Sequence, residues 1–540
     1  MSRLLKFFAV RRIKIRLAFL FFIFAGIYGI LIFNLYNLQL KKNFYYSVKA
    51  AAQNAGIEPE LKRGNIYFSD RNNDSVPAAI NREFPFIYAV PEEIDDAKEA
   101  AAMLEPVVNI AVDVLEKKFS KEADQFEVVL DKASVEQADA ARVLNLKGIY
   151  IKERISRFYP FGQLAAQLLG FVGINSENEQ PIGLYGSELF YNELLIAGIL
   201  NLTLDRNLQV RAEEVLEGLV RDFEADGGEV IIEEPKTGKI LALAGEPSFD
   251  PNFYSDYDLD VFINPAVQKV YEPGSVFKVI TMAAGIDSGK ITPATSYFDS
   301  GFVKVADRVI KNWDHKAHGE ITMTEVIEKS VNTGAVHAER LTGHDIFYNY
   351  LTGFGFGEKT DVDLPGELGG DLRNLSKKYN EGVNFATASF GQGVAVTPIQ
   401  LVNAISAIAN KGFLMKPYLN TGLGPKIIRR VISEKSAKEV SEMMVSAVEK
   451  AGVASLHGYF LAGKTGTAQI PDFQNGGYLE DRFVHTFVGF GPVSNPAFTI
   501  LIKLDKPNKN LAALTVVPAF KNLAQYVLNY YRIPPDKFEQ

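Results

Sequence analysis

The stretch YEPGSVFKVIT, residues 271–281, places a serine and a lysine three positions apart, directly after a Pro-Gly pair. A serine hydroxyl becomes an effective nucleophile when a neighbouring base takes its proton, and a neutral lysine amine can be that base. If a helix begins near Val276, positions i and i+3 lie on one face, so the amine of Lys278 can reach the hydroxyl of Ser275. The stretch predicts a serine nucleophile at the start of a helix, although a Ser-x-x-Lys pair alone is unspecific.

Two later motifs supply the residue types that such a nucleophile needs as partners. They are Ser330-Val331-Asn332 in EKSVNTGAV and Lys464-Thr465-Gly466 in LAGKTGTAQ. Lys464 lies on a predicted strand between apolar residues, and Gly466 would permit a substrate backbone to approach the strand edge closely. The combination resembles the Ser-x-x-Lys, Ser-Asp-Asn and Lys-Thr-Gly set of class A β-lactamases and penicillin-binding proteins.

A second copy of each shorter motif precedes Ser275. Lys236-Thr237-Gly238 joins two alternating runs in GEVIIEEPKTGKILALAG, which predicts a hairpin turn without any chemistry. The other copy is Ser176-Glu177-Asn178. We predict that neither copy belongs to the reactive site.

Length and composition limit the class of protein. A chain of 540 residues exceeds what one hydrophobic core usually supports, so we expect two or more domains. The formal net charge is -8, from 57 basic and 65 acidic residues, which argues against a nucleic-acid partner. The absence of cysteine excludes disulfides, thiolate metal sites and cysteine nucleophiles.

The N-terminal segment has the pattern of a membrane anchor. Residues 17–33, LAFLFFIFAGIYGILIF, carry no charge, and the apolar run continues to Leu40, long enough to span a bilayer as one helix. Six cations precede this run, namely Arg3, Lys6, Arg11, Arg12, Lys14 and Arg16. We predict a cytoplasmic basic tail at residues 1–16, an uncleaved single-pass anchor at 17–40, and the rest of the chain outside the cytoplasmic membrane.

Residues 41–200 are predicted to form a mixed α/β pedestal or dimerisation-like domain. FPFIYAV (84–90) and residues 148–160 have strand character, whereas residues 97–119 predict one or two helices around Pro106. Residues 134–145 predict an amphipathic helix. We find no catalytic constellation in this segment.

Residues 201–540 are predicted to form a second α/β (α+β) domain. A strand and a long helix open it, and the hairpin around Gly238 follows. Helices are predicted at Ser275–Gly285, Met323–Thr342 and Pro398–Lys411, and three strand-like stretches and a helix close the domain. Strands at both ends with helices between them predict a sheet that the C-terminal strands complete.

Several segments beyond these motifs resemble a known family. In chain order they are KRGNIYFSDRNN (62–73), RFYPFGQLAAQLLGFVG (157–173), TLDRNLQ (203–209), PKTGKILALAG (235–245), NPAVQKVYEPGSVFK (264–278) and ASFGQGVAVTPIQL (388–401). The chain is thus similar over nearly its whole length to class B penicillin-binding proteins, the monofunctional peptidoglycan transpeptidases. The first segment departs from the family's Arg-Gly-x-Ile-x-Asp-Arg-Asn-Gly element, because Phe68 and Ser69 precede Asp70 and Asn73 replaces the usual glycine.

The resemblance implies a role for each residue of the catalytic centre. Ser275 would attack the carbonyl of the penultimate D-alanine of a stem peptide. Lys278 would be the base, with a pKa that burial and the nearby Lys464 cation lower. Ser330 would relay a proton from the Lys278 side to the leaving nitrogen.

The resemblance also implies the groups that hold the substrate. Asn332 would hydrogen-bond the amide backbone of the substrate. Thr465 and Thr467, on either side of Gly466, would hold its carboxylate. The backbone N–H groups of Ser275 and Thr467 would form the oxyanion hole.

A penicillin-binding transpeptidase domain of the serine β-lactamase-like type, a sheet flanked by helices, is the fold that the resemblance implies. Such a domain uses no cofactor, crosslinks peptidoglycan stem peptides and is acylated by β-lactams. Its expected partners are a multi-pass glycosyltransferase and other cell-wall machinery at the membrane, of either the division or the elongation type. The alternatives are a membrane-anchored D,D-carboxypeptidase or β-lactamase, or a non-catalytic β-lactam-binding sensor or scaffold.

Two further patterns are assigned structural roles. His315 and His318 in NWDHKAHGEIT stand near carboxylates, but the stretch resembles a loop of the family, so we expect no metal site. Gly391 and Gly393 in SFGQGVAVTP lack the Lys-Ser/Thr ending of a phosphate-binding loop. We predict a tight turn before a helix there.

Overall fold

The computed structural model describes residues 63–121, 125–174, 181–376, 382–472 and 476–537, together with Phe24 and Tyr28. The predicted anchor at residues 17–40 lies outside the described residues apart from these two, and so does the whole basic tail. Within the described part, none of the helices combines the length and hydropathy that a membrane crossing requires. The chain divides into two compact units, Met1–Arg63 and Gly64–Gln540, and the strands and helices below belong to the second.

Residues 64–205 form short strands and helices around a five-stranded sheet. The strands are β1 (Ile66–Ser69), β2 (Val76–Ala89), β3 (Glu127–Leu130), β4 (Ile149–Phe158), β5 (Val172–Ile174), β6 (Pro181–Gly183) and β7 (Leu200–Asp205). The helices are α1 (Ala97–Val108), α2 (Val112–Phe119), α3 (Val135–Leu144), α4 (Ala166–Leu169) and α5 (Gly186–Phe190). The strand order is β3-β2-β1-β7, with β4 paired to β2, and β1 and β7 are parallel.

The strand predicted at residues 84–90 is the second half of β2. Ile87 and Ala89 point to one face and pack with Leu104 of α1 and Leu115 of α2. Alternate residues of a strand face opposite sides, so the period-two pattern of FPFIYAV produces this one-sided core. The strand predicted at 148–160 and the helix predicted at 134–145 are β4 and α3.

The helical stretch 97–119 is divided into two helices, but the break does not lie at Pro106. This proline is inside α1, which ends at Val108. Asn109 has φ of 55°, in the left-handed region that asparagine tolerates better than most residues. The asparagine, rather than the proline, therefore ends the helix.

Asn73, which replaces the glycine usual in the family, takes the conformation that glycine would supply. It lies in the turn between β1 and β2 with φ of 63°, and its N–H donates to Asp70 O at 2.9 Å. The carboxylate of Asp70 accepts from the backbone N–H groups of Asn72 and Asp74, each at 2.8 Å. The departure from the family's sequence thus preserves the turn.

Residues 206–537 lie within the second predicted domain, 201–540. The helices are α6 (Arg206–Asp222), α7 (Pro265–Gln268), α8 (Lys278–Asp287), α9 (Met323–Lys329), α10 (Asn332–Thr342), α11 (His344–Gly353), α12 (Gly382–Ala388), α13 (Pro398–Ala409), α14 (Glu434–Ala451) and α15 (Val516–Tyr530). The strands are β8 (Gly227–Glu234), β9 (Lys239–Glu246), β10 (Ser296–Asp299), β11 (Phe302–Val305), β12 (Arg308–Lys311), β13 (Gly319–Thr322), β14 (Phe413–Met415), β15 (Ile427–Arg430), β16 (Ala462–Pro471), β17 (Tyr478–Gly491) and β18 (Phe498–Asp505).

An antiparallel sheet of order β16-β17-β18-β8-β9 is the centre of this part. β18 joins the C-terminal strands to the hairpin β8–β9, which confirms that the C-terminal strands complete the sheet. Ile231 and Leu501 belong to the core that includes α8 and α13, and Val230 and Ile500 to the core that includes α6 and α15. Helices therefore cover both faces of the sheet.

The helix predicted to start at Ser275 starts three residues later. Gly274–Phe277 form a 3-10 turn, and the α-helix α8 begins at Lys278. In a 3-10 turn the side chains at i and i+3 eclipse one another. The predicted proximity of Ser275 and Lys278 is therefore found, although through a tighter turn than an α-helix.

The prediction of a single helix over Met323–Thr342 is wrong, because the helix is interrupted at Ser330. This residue is left-handed, with φ of 57° and ψ of 44°, and Val331 is extended. α9 ends before the break and α10 begins after it. Neither glycine nor proline marks the position, so propensity does not reveal it.

Candidate active site

The amine of Lys278 is the centre of the site. The side chain is 0% exposed, yet Nζ has three oxygen neighbours: Ser275 Oγ at 3.0 Å, Ser330 O at 2.6 Å and Ser330 Oγ at 3.2 Å. A neutral amine offers two N–H donors and one lone pair. Two donors directed to the Ser330 oxygens leave the lone pair for the hydroxyl proton of Ser275. The geometry suits a Lys278 that deprotonates Ser275.

Ser330 connects the two lysines of the site. Lys464 Nζ donates to Ser330 Oγ at 3.0 Å and to Thr465 O at 3.1 Å. Because Ser330 is left-handed, both its carbonyl and its hydroxyl are within reach of Lys278. Its hydroxyl oxygen accepts from both amines, and neither contact consumes the hydroxyl proton. The break in the helix thus places Ser330 between the two amines.

Burial sets the protonation of both lysines. Desolvation, followed by the positive charge of Lys464, lowers the pKa of Lys278 well below its ordinary value. Desolvation lowers the pKa of Lys464 to about 7. The sequence predicted this direction for Lys278 and these two causes. Both causes make the amine of Lys278 easier to deprotonate than a lysine in water, as a general base requires.

β16 lies directly against the turn that carries Ser275. A Cβ atom on Gly466 would lie 2.9 Å from Pro273 O and 3.0 Å from Val276 Cγ2. The close approach of a substrate backbone at Gly466 stays a prediction. The structure gives the glycine a second role, because it allows β16 to approach the turn that carries Ser275.

β16 is also the terminal strand of its sheet, paired along its length with β17. A terminal strand can add an extended peptide through main-chain hydrogen bonds. Thr465 Oγ1 lies 3.4 Å from Lys464 Nζ, and Thr467 Oγ1 accepts from the N–H of Ala512 at 3.3 Å. The oxyanion hole assigned to Ser275 and Thr467 stays a prediction.

Asn332 lies at the edge of this group. Its Nδ2 donates to Lys311 O at 2.9 Å, in the segment that precedes α9. The side chain is partly exposed at the first position of α10. Its predicted contact with the amide backbone of a substrate stays a prediction.

The SFGQG segment, residues 389–393, contacts the turn that carries Ser275. Gly274 N–H donates to Gly391 O at 3.1 Å. A Cβ on Gly391, which has φ of 81°, would lie 2.2 Å from Gly274 O, so this position requires glycine. The predicted tight turn is present, and its contact with Gly274 was not predicted.

The second Lys-Thr-Gly motif has the structural role predicted for it. It forms the turn between β8 and β9, where Gly238 N–H donates to Glu234 O at 2.9 Å. Lys236 Nζ contacts Asn495 Oδ1. The Ser176-Glu177-Asn178 copy lies outside the described residues.

The histidines of NWDHKAHGEIT do not form a metal-binding group in the described part of the chain. His318 Nε2 lies 3.2 Å from Asp314 Oδ2. No cluster of three or more His, Cys, Asp or Glu side chains suited to a metal ion occurs among the residues that the structure describes.

Sequence reasoning missed Glu272, the residue before Pro273. Its carboxylate accepts from Gly393 N–H at 2.9 Å and from the Tyr478 hydroxyl at 3.0 Å, so it ties the nucleophile turn to the SFGQG segment and to β17. Burial raises its pKa. The sequence signal that could have revealed Glu272 is an acidic residue directly before the Pro-Gly pair that precedes Ser275.

Comparisons with known proteins identify the family and the fold of the chain. The penicillin binding protein transpeptidase domain family matches residues 228–525, and the penicillin-binding protein dimerisation domain family matches residues 59–199. The crystal structure of Penicillin Binding Protein 2X from Streptococcus thermophilus has the same fold. Its TM-score is 0.68 at 22% identity, over 88% of this chain and 80% of that chain.

Curated relatives extend over almost the whole chain. Stage V sporulation protein D of Bacillus subtilis (strain 168) is 30% identical over 95% of this chain and 86% of its own length. The probable peptidoglycan D,D-transpeptidase PenA of Neisseria gonorrhoeae is 27% identical over 97% of this chain and 94% of its own length. With both domains matched and a relative of 30% identity over almost its whole length, the chain belongs to the class B penicillin-binding proteins, the family of peptidoglycan D,D-transpeptidases.

Proposed function

We propose that this transpeptidase crosslinks peptidoglycan stem peptides through an acyl-enzyme on Ser275, with release of the terminal D-alanine. The observation that carries the proposal is the chain of contacts from Ser275 Oγ through Lys278 Nζ and Ser330 Oγ to Lys464 Nζ, at 3.0, 3.2 and 3.0 Å. These contacts provide a nucleophile, a base and a proton path within one buried group.

In the acylation step, Lys278 takes the hydroxyl proton of Ser275 as Oγ attacks the carbonyl carbon of the penultimate D-alanine. The oxygen of the tetrahedral intermediate is stabilised by the N–H groups of Ser275 and Thr467. The bond between this carbon and the nitrogen of the terminal D-alanine then breaks. The nitrogen receives a proton through Ser330, and an ester remains on Ser275.

The second step transfers the acyl group to an amine of a neighbouring stem peptide. The amine attacks the ester carbonyl, loses a proton to the Lys278 and Ser330 pair, and expels Oγ. Ser275 regains its proton and the new amide is the crosslink. The donor peptide is held along the edge of β16 by Thr465 and Thr467, and its amide backbone is held by Asn332.

A β-lactam follows the first step alone, since its ring carbonyl is attacked by Ser275 and the ring nitrogen remains tethered to the acyl group. The alternatives of a carboxypeptidase or a β-lactamase share this acylation and differ in the acceptor. Water is the acceptor in those enzymes, whereas a stem-peptide amine is the acceptor in a transpeptidase. The sensor and scaffold alternatives lack turnover altogether.

Partition of the acyl-enzyme tests the function. The full chain is incubated with a pentapeptide that ends in D-alanyl-D-alanine, with and without an added stem-peptide amine, and the products are counted by mass spectrometry. A transpeptidase yields mainly the amide product when the amine is present. Hydrolysis that the amine does not alter would instead indicate a carboxypeptidase.

We further infer that residues 17–40 anchor the chain in the cytoplasmic membrane, with the reactive site on the outer side and a multi-pass glycosyltransferase as its partner. The support is the uncharged run and the six cations before it. Protease treatment of sealed inverted membrane vesicles that contain the full chain tests the orientation. Digestion limited to the N-terminal tail is expected, and digestion of residues 64–540 would contradict it.

Gly466→Ala is expected to lower the rate of acylation by benzylpenicillin about 10- to 100-fold. The added Cβ would lie within 3.0 Å of Pro273 O and Val276 Cγ2, so β16 must move away from Ser275. Displacement of reacting groups by about 1 Å can reduce a rate about 100-fold. Stopped-flow acylation kinetics on the full chain provide the measurement.

Gly218→Ala is the matched control for this substitution. Gly218 lies in α6, and the nearest atom to an added Cβ would be Arg221 Nη2 at 3.9 Å. Alanine also favours the helical conformation by roughly 1 kcal/mol over glycine. Acylation should be unchanged in the control, and equal rates in both variants would contradict the close approach of β16 to the turn.

The pH dependence of acylation is expected to be bell-shaped. The rate rises with pH as Lys278, whose pKa is lowered, loses its proton, because only the neutral amine accepts the proton of Ser275. It falls as Lys464, with a pKa of about 7, loses its charge. The two apparent pKa values belong to the coupled pair.

Acylation by benzylpenicillin between about pH 5 and about pH 10 measures this profile. Lys464→Arg keeps the charge over the whole range, so its falling limb should move to higher pH or disappear. A parent profile that only rises up to the highest pH would show that the charge of Lys464 is not needed.

A further inference from the structure

Asp299, at the end of β10, is a buried carboxylate with all its acceptor positions filled. It is 0% exposed. Oδ1 accepts from Gly301 N–H at 2.9 Å and from Thr333 Oγ1 at 2.7 Å. Oδ2 accepts from Asn312 Nδ2 at 2.8 Å and from His318 N–H at 3.0 Å. Two donors on each oxygen match the lone pairs of a carboxylate.

The donors of Asp299 connect it to the helix that carries Asn332. Thr333 is the second residue of α10, and its hydroxyl binds the carboxylate. Asn312 donates to the same carboxylate and accepts from Thr333 N–H at 3.2 Å. The three buried side chains therefore form a closed network at the first turn of α10.

The segment around Asn312 also contacts both ends of the Ser330-Val331-Asn332 break. Trp313 Nε1 donates to Lys329 O at 3.1 Å, directly before the break. Lys311 O accepts from Asn332 Nδ2 at 2.9 Å, directly after it. Residues 311–313 thus hold the break on both sides, and Asp299 holds Asn312.

The charge of Asp299 is maintained by these contacts. Burial alone would raise its pKa, but hydrogen bonds from Thr333, Gly301, His318 and Asn312 lower it below the ordinary value. Asparagine at this position would present an amide N–H₂ to two of these donors. The network needs an acceptor of four hydrogen bonds, which a carboxylate provides and an amide does not.

We propose that Asp299 is a positioning residue for acyl transfer, which fixes Ser330 and Asn332 through Thr333, Asn312 and the segment 311–313. The inference rests on the proposed function, because it assigns Ser330 and Asn332 their roles in catalysis. Asp299 itself acts through these residues and does not need to touch the substrate. The left-handed Ser330, which propensity does not explain, is held by this network and by the contacts with the two lysines.

The test compares Asp299→Asn, Thr333→Val, Thr333→Ser and the double variant Asp299→Asn/Thr333→Val in the full chain. The limiting rate constant of acylation by benzylpenicillin is expected to fall about 10- to 100-fold in Asp299→Asn and in Thr333→Val. Thr333→Ser keeps the hydroxyl and should retain most of the rate. In the double variant the losses should be less than additive, because both substitutions disturb the network that contains the contact between Thr333 and Asp299.

Trp313 provides a second measurement that a general loss of stability does not imitate. It is the single tryptophan of the chain, so its fluorescence reports only on the segment that holds the break. Acrylamide quenching at a temperature where each variant is folded should increase in Asp299→Asn and Thr333→Val. Thr324→Val is the control, because the Thr324 hydroxyl donates to Pro293 O at 3.1 Å, outside the network.

The outcomes separate this proposal from the proposed function. Failure of the parent chain to acylate would overturn the function of the site, whatever the variants do. A normal parent with a parental rate in folded Asp299→Asn, or additive losses in the double variant, would overturn the role of Asp299. If Asp299→Asn does not fold, Thr333→Val and Thr333→Ser decide the question, since both retain the carboxylate, and equal rates in these two would overturn it.

Discussion

The Ser275→Ala variant of the 540-residue chain is expected to show no mass increase after incubation with benzylpenicillin, whereas the parent gains one penicilloyl group. Oγ of Ser275, 3.0 Å from Lys278 Nζ, is the atom that forms the ester, and alanine has no atom to replace it. Intact-protein mass spectrometry measures the adduct. The expected effect is a complete loss of labelling.

Ser288→Ala is a matched control on the same helix. Ser288 caps the end of α8, and its hydroxyl donates to Ala284 O at 2.7 Å, which is a structural contact. Labelling of this variant should equal that of the parent. A stable adduct on folded Ser275→Ala would assign the nucleophile to another residue.

Lys278→Met is expected to reduce the rate of acylation about 10²- to 10⁴-fold, the usual contribution of a positioned general base. Methionine fills a similar volume but cannot accept the proton of Ser275. Stopped-flow kinetics with benzylpenicillin measure the loss. Some slow labelling should remain, because Ser275 and the other groups of the site are retained.

The stability of Lys278→Met provides the check that the fold is intact. The folded-state pKa of Lys278 lies below the unfolded value, so the unfolded chain binds the proton more strongly and this lysine destabilises the fold at neutral pH. The stability linked to Lys278 rises with pH between the folded and the unfolded pKa, and methionine removes this dependence. We expect a melting temperature at pH 7 that is equal to or above that of the parent.

Lys290→Ala is the control for the replacement of a lysine. Lys290 lies shortly after the end of α8, and its side chain is exposed. Its acylation rate should equal the parent rate. A parental rate in folded Lys278→Met would contradict the assignment of the base. A low melting temperature in that variant would instead point to a structural role of the amine.

Local pattern was sufficient for the elements that depend on neighbouring residues. The strand at 84–90, the helix at 134–145 and the hairpin around Gly238 arise from periodicity and turn residues, which act over a few positions. The three catalytic motifs were also predicted to meet. Their spacing alone did not support that prediction, which also required the resemblance to a known family.

Two helix predictions were wrong in their boundaries, because tertiary contacts override the local helix propensity of the sequence. The 3-10 turn at Gly274–Phe277 is held by a hydrogen bond from Gly274 N–H to Gly391 O. Glu272, just before the turn, accepts from the N–H of Gly393, which lies 121 positions further along the chain. Ser330 is left-handed although none of the residues 327–333 is glycine or proline. Its conformation is stabilised by contacts with Lys278 and Lys464, which lie 52 and 134 positions away.

The sequence by itself determined the residue types of the site, the α/β class and the completion of the sheet by C-terminal strands. Only the tertiary structure decided the break at Ser330, the reason for Gly466 and the network of Asp299. The physical reason is that a motif records which groups are available, whereas burial and distance are properties of the assembled fold. The pKa of Lys278 is lowered because the fold removes its amine from water and places a second cation beside it.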